Sequence, residues 1–185
     1  MRNQKMLISK KYLFRYDEIL CEMENKMLSL NVTNNITKIF IECMIPHHQA
    51  AIAMSENLLQ YTHYNQLQEI AKNIIKTQTI GIEQMKEINE TASKFLNYQR
   101  NVDLYMTKYF SITEKMINQM KNSTRSININ LNFVDEMILH HEGAICMCEN
   151  LLQYCVDPRL KMVADSIINE QSKGVMQLKE IQRYV

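Results

Sequence analysis

Between residues 10 and 29 the apolar side chains Tyr12, Tyr16, Ile19, Met23 and Met27 fall three or four positions apart, which puts them on one face of a helix. Between 37 and 61 the stripe is Phe40, Met44, His47, His48, Ala51, Met54 and Leu58. Between 65 and 90 it is Leu67, Ile70, Ala71, Ile74, Ile75, Gln78, Ile82, Met85 and Ile88. Each stripe has helical period, so three helices are predicted. The Asn-rich stretches 31–37 and 122–132 have the composition of connectors and helix caps.

The same pattern then returns. FIECMIPHHQAAIAMSENLLQY reappears as FVDEMILHHEGAICMCENLLQY at a constant offset of 93 residues, without a gap. Tyr105, Tyr109, Ile112, Met116 and Met120 repeat the first stripe, and Phe133, Met137, His140, His141, Ala144, Met147 and Leu151 repeat the second. Two repeats are expected, 1–92 and 93–185, with matched hairpins at 40–88 and 133–181. Equivalent halves that pack about a pseudo-twofold axis bring a side chain on that axis against its own copy, so two His pairs become one cluster.

Composition sharpens the fold class. With 3 Gly and 2 Pro in 185 residues, the chain lacks the punctuation that hairpins and tight turns need. The expectation is an all-α protein, a single domain over 1–185 in which two helical hairpins form a four-helix core and each repeat adds one further helix. In the second half Asp157-Pro158 marks a helix start, with Asp as the cap and Pro at the first helical position. That leaves a short turn near Cys155 and Val156, so the second and third helices of each repeat run antiparallel.

Lys and Arg number 21 against 20 Asp and Glu, with no basic face, which argues against a nucleic-acid partner. The apolar run from Met6 to Ile8 is too short for a signal core and no stretch reaches membrane-spanning length, so the expectation is a cytoplasmic protein without a membrane partner. Cys21, Cys43, Cys146, Cys148 and Cys155 are odd in number, unmatched between repeats and without zinc spacing; they read as reduced thiols. Met23, Met27, Met116 and Met120 read as core, and His63, which has no repeat counterpart, as a turn residue.

Hairpin arithmetic places Gln78 level with His47, and Gln171 level with His140. These amides interrupt apolar stripes, and a bond to the imidazole would satisfy both groups and fix the tautomer of a metal-binding ring. Gly81 and Gly174 also stand at matching positions inside helices, where Gly costs about 1 kcal/mol relative to Ala. Close helix approach or space for a ligand would explain them.

The His pairs carry the candidate chemistry. Di-iron bundles use Glu-x-x-His, because residues three apart share a helix face and carboxylates suit iron. Here that spacing reads Met44-x-x-His47 and Met137-x-x-His140. A thioether beside an imidazole selects copper, Cu(I) above all, over iron, manganese or magnesium.

The order Met-Ile-Pro-His-His-Gln-x-Ala-Ile-x-Met, followed by a helix with a mid-stripe Gln and then Glu-Gln-Met, resembles the ferritin-like domain-of-unknown-function family 305. The resemblance covers 40–88 and 133–181. It implies a ferritin-like bundle of two-helix repeats in a family with many secreted members, some tied to copper handling, and it implicates Met44, His47, His48, Met54, Met137, His140, His141 and Met147. Leu139 replaces Pro46 in the second copy, so a proline kink is not required in both halves.

The leading expectation is a non-enzymatic bundle that holds a soft metal ion, with no organic cofactor, for storage, buffering or delivery. Two alternatives stay open: a structural or partner-binding bundle whose His-Gln layer only specifies packing, and a metal-dependent oxidoreductase. Assembly into homo-oligomers is also left open by the sequence.

Overall fold

The computed structural model describes residues 2–185, which form six α-helices and no strand. They are α1 (Arg2–Leu28), α2 (Ile36–Leu59), α3 (Asn65–Thr91), α4 (Gln99–Lys121), α5 (Ile129–Leu151) and α6 (Pro158–Ile181), with a short 3-10 turn at Ala92–Lys94. The all-helical expectation and the three-helix repeat are borne out. α1 starts ahead of its first periodic residue because its opening turns are exposed and need no apolar stripe.

The helices stack as three layers of two. α2 and α3 form one hairpin and α5 and α6 the other; α2 packs on α5, α3 on α6, and α1 and α4 cover the outer sides of α2 and α5 and touch each other. α2 and α5 are thus covered from both sides. Their buried residues accordingly lie all round the helix, whereas α3, α4 and α6 bury a single stripe. A helix apolar on every side is stable only in the interior.

Caps fix the ends. Asn35 accepts from the Lys38 N–H, and its repeat mate Asn128 accepts from the N–H groups of Asn130 and Leu131, so the Asn-rich connectors do start helices. Asp157 accepts from the Arg159 N–H with Pro158 at the first helical position, as its sequence signals. The stretch joining the halves is tied down as well. The Asn97 carbonyl oxygen of the side chain accepts from Ile36 N–H at 3.0 Å, and its amide donates to the Cys155 carbonyl at 2.7 Å.

The outer helices dock by one repeated device. Asn57 donates to the Tyr12 carbonyl at 3.0 Å and Asn150 to the Tyr105 carbonyl at 3.2 Å. Tyr12 meets Tyr61 edge-on, as Tyr105 meets Tyr154. Met23, Met27, Met116 and Met120 are buried core residues, and His63 is exposed in the turn between α2 and α3.

One buried carboxyl breaks the symmetry. Glu136 on α5 is 1% exposed and accepts from the Tyr12 hydroxyl at 3.0 Å, while its other oxygen has no partner. Its repeat position in the first half is Cys43. Burial outweighs the Tyr12 bond and pushes the Glu136 carboxyl up to about 8. A raised carboxyl holds its proton in the folded state, so its contribution falls as pH rises from the unfolded value near 4.5 through about 8. Glu136→Gln is therefore expected to raise stability by on the order of 2–4 kcal/mol near pH 8 and to lose that advantage near pH 4.5, read by urea titration at both pH values. An equal effect at the two pH values would contradict a neutral carboxyl in the folded core.

Candidate metal centre

His47 and His48 come from the middle of α2 and His140 and His141 from the middle of α5, the two helices of the central layer. All four rings are buried, none more than 2% exposed. His47 and His140 stack across the α2–α5 contact with ring centroids 3.6 Å apart and planes inclined by 31°. His48 lies 6.2 Å from His47, and His141 lies 6.0 Å from His140. The rings form a chain in the order His48, His47, His140, His141, running across the pseudo-twofold axis. Convergence of the two copies, the expectation set by the repeat, is what the central layer provides.

Few of the ring nitrogens are engaged. His140 Nε2 lies 3.1 Å from the His47 carbonyl and donates to it. The Nδ1 atoms of all four rings, and Nε2 of His47, are enclosed without any hydrogen-bond partner. Burial drives the rings toward neutrality, lowering His48 to about 3 and His140 to about 4. His47 and His141 are held well below the usual range by burial first and by neighbouring imidazoles second. Neutral rings keep a free lone pair, the form that binds metal.

The pairing of His47 with Gln78 and of His140 with Gln171 is corrected. No hydrogen bond joins either Gln to a His among the described residues, and Oε1 of both Gln side chains is without a partner. The reason is register. A β-carbon placed at Gly81 would lie 3.0 Å from His48 Nε2, and one at Gly174 would lie 2.8 Å from His141 Cδ2. His48 is therefore level with Gly81, which leaves His47 level with Ile82, about one helical turn from Gln78. Gly81 and Gly174 make room for an imidazole of the neighbouring helix, a reading between the two explanations their positions suggested. The amides instead sit at the α3–α6 seam.

Met44, Met54, Met137 and Met147 are buried on the same two helices as the rings. No three His, Cys, Asp or Glu side chains among the described residues stand close enough to enclose an ion. An ion in this layer would thus meet no more than two imidazoles at once. Glu136, one helical turn before His140 on α5, is committed to Tyr12. Sequence reasoning passed over Glu136, and it expected the two His pairs to converge without saying which rings would stack. A charged residue at the repeat position of an apolar one was the available signal for the first; the second needed the interface.

The fold and site define a class: a two-repeat, all-helical protein with a neutral histidine layer where the repeats meet. The chain belongs to the family described as Domain of unknown function (DUF305), which matches it over residues 19–89 and 101–182. Comparison with curated proteins gives no match. Among solved structures, the chain is similar to CopM in its silver-bound form, obtained by soaking. The two are 29% identical with a TM-score of 0.59, over 80% of this chain and 96% of that one. No helix among the described residues is long and apolar enough to cross a membrane.

Proposed function

We propose that the histidine layer binds a soft monovalent metal ion, copper(I) foremost, and that the chain stores, buffers or delivers it without performing catalysis. The ligands are drawn from His47, His48, His140 and His141, with Met44, Met54, Met137 and Met147 as thioether donors. The observation that carries this reading is the set of five enclosed ring nitrogens without partners. A buried polar atom left unpaired costs about 1–3 kcal/mol, and an unexplained cluster of them points to a missing ion or water. The donor set fits a soft cation: the four imidazoles of the layer are neutral, and the four thioethers are buried on the same two helices. The similarity to a protein that holds silver, another soft monovalent ion, supports the same reading.

Cys21, Cys146 and Cys155 are exposed and would compete for such an ion, so the test uses the chain with these three replaced by Ser. Titration of this reduced protein with Cu(I) against a competing chelator is expected to give binding tighter than micromolar. Micromolar or weaker binding ends the proposal.

One observation favours a second reading, a purely structural layer. The stacked His47 and His140 rings and the His140-to-His47 carbonyl bond join the two repeats directly, and buried polar contacts of this kind can specify register. Under this reading the rings influence stability and no ion binds.

A further inference from the structure

Two cavities open between α3 and α6, of about 90 Å3 and 220 Å3. The first is floored by His141 and Gly174, the second by His48 and Gly81. Every residue lining one is carried onto a residue lining the other by the 93-residue repeat offset. They are therefore one opening, built twice. Thr77, Gln78, Glu170 and Gln171 line both. Gln78 and Gln171 are 5% and 2% exposed, and the Oε1 atom of each has no partner.

The four rings differ in their relation to these openings. Nε2 of His48 and of His141 lies within about van der Waals reach of a glycine that lines an opening, where even a methyl group would press on it. Nε2 of His47 is enclosed, and Nε2 of His140 is held by the His47 carbonyl. An opening that ends on a ring nitrogen, is lined by unpartnered amide oxygens and carries one carboxylate at its rim has the makeup of a cation path. Glu170 is that carboxylate; Lys173, its ion-pair partner at 3.0 Å, lies on the His141 side, where the first repeat has Ile80.

We propose that a soft monovalent cation reaches the layer through these two openings, one delivering to His48 and the other to His141, with the Gln78 and Gln171 oxygens as donors in transit. His47 and His140 are filled only from inside. The cation's role rests on the function proposed above; the openings do not.

The test separates the two. Diethyl pyrocarbonate, a small reagent for neutral imidazole nitrogen, is applied to the folded full-length chain carrying Cys21→Ser, Cys146→Ser and Cys155→Ser, and modification is mapped by peptide mass spectrometry with exposed His63 as the internal standard. His48 and His141 are expected to react at least about ten-fold faster than His47 and His140, since rings reached only by local opening of the fold would share one slow rate. Four equal rates overturn the openings. Gly81→Ala is expected to slow His48 and leave His141 unchanged, and Gly174→Ala to do the reverse; variants that leave their own histidine's rate unaltered also overturn them. The unsubstituted-glycine comparison decides the matter if either variant fails to fold. Silver(I) added beforehand is expected to protect His48 and His141. Silver that protects neither while the rate contrast stands overturns both the cation path and the soft-ion function. Silver binding with four equally reactive rings overturns the openings alone.

Discussion

Acid unfolds the metal-free chain, with a midpoint between about pH 3 and 5 in a far-ultraviolet circular dichroism titration. The four imidazoles are neutral in the folded core, His48 lowered to about 3 and His140 to about 4, with His47 and His141 also well below 6.5. In the unfolded chain they titrate near 6.5. Below that value the unfolded state binds four protons that the folded state refuses, so stability falls as pH falls. Glu136 acts in the opposite sense between about 4.5 and 8, because the folded state already holds its proton. Three protons net at about 1.4 kcal/mol each give a slope of about 4 kcal/mol per pH unit. A domain with about 5–15 kcal/mol of total stability exhausts it within one to a few pH units. Replacing one ring, as in His141→Gln, is expected to flatten the slope by one proton. Urea midpoints that do not change between about pH 7.5 and 5 would mean that the rings are already charged or already wet in the folded state.

Combining Met44→Leu with His47→Ala lowers Cu(I) affinity at least about 100-fold, judged against the 10–100-fold that loss of a supporting group alone produces at metal sites. The same pair of changes removes the thermal stabilisation that the ion confers. An ion at 100 times its dissociation constant stabilises the folded state by about 2.7 kcal/mol, and at 1,000 times by about 4.1 kcal/mol. Bound ion is also expected to move acid unfolding to lower pH, because the lone pairs that protons would take are occupied. Competition titration and thermal melts of the variant beside its parent check both statements. Unaltered affinity in a folded variant would remove these two side chains from the site. If the parent melts at the same temperature with and without Cu(I), the stacked rings are a packing device only.

Much of the architecture was legible because helical period and the 93-residue repeat are both local records of burial. Tyr12, Tyr16, Met23 and Met27 and their mates recur on one face since α1 and α4 each have one side to cover, and the structure buries all of them. Asn128 and Asp157 were readable as caps because a cap is a contact with the next turn of the same helix. The His-Gln pairing failed for a reason of the same kind in reverse. Distance from a turn gives a rough level along a hairpin, but the register is set by the nearest close approach, and His48 against Gly81 moves it by about one turn. Glu136 was missed because a carboxyl beside Asp135 looks solvent-bound until Tyr12, 124 residues away in the chain, is found donating to it.

By itself the sequence determined that the chain is helical, that it is doubled, and that each copy contributes a His pair beside a Met, since period, repeat and residue type are all written along the chain. Only the tertiary structure decided which rings meet, which way each one faces and which nitrogens are left without partners. Those outcomes depend on how α2 rotates against α5 and how α3 seats on α6, and rotation about a helix axis is fixed by packing between segments that lie far apart in the chain.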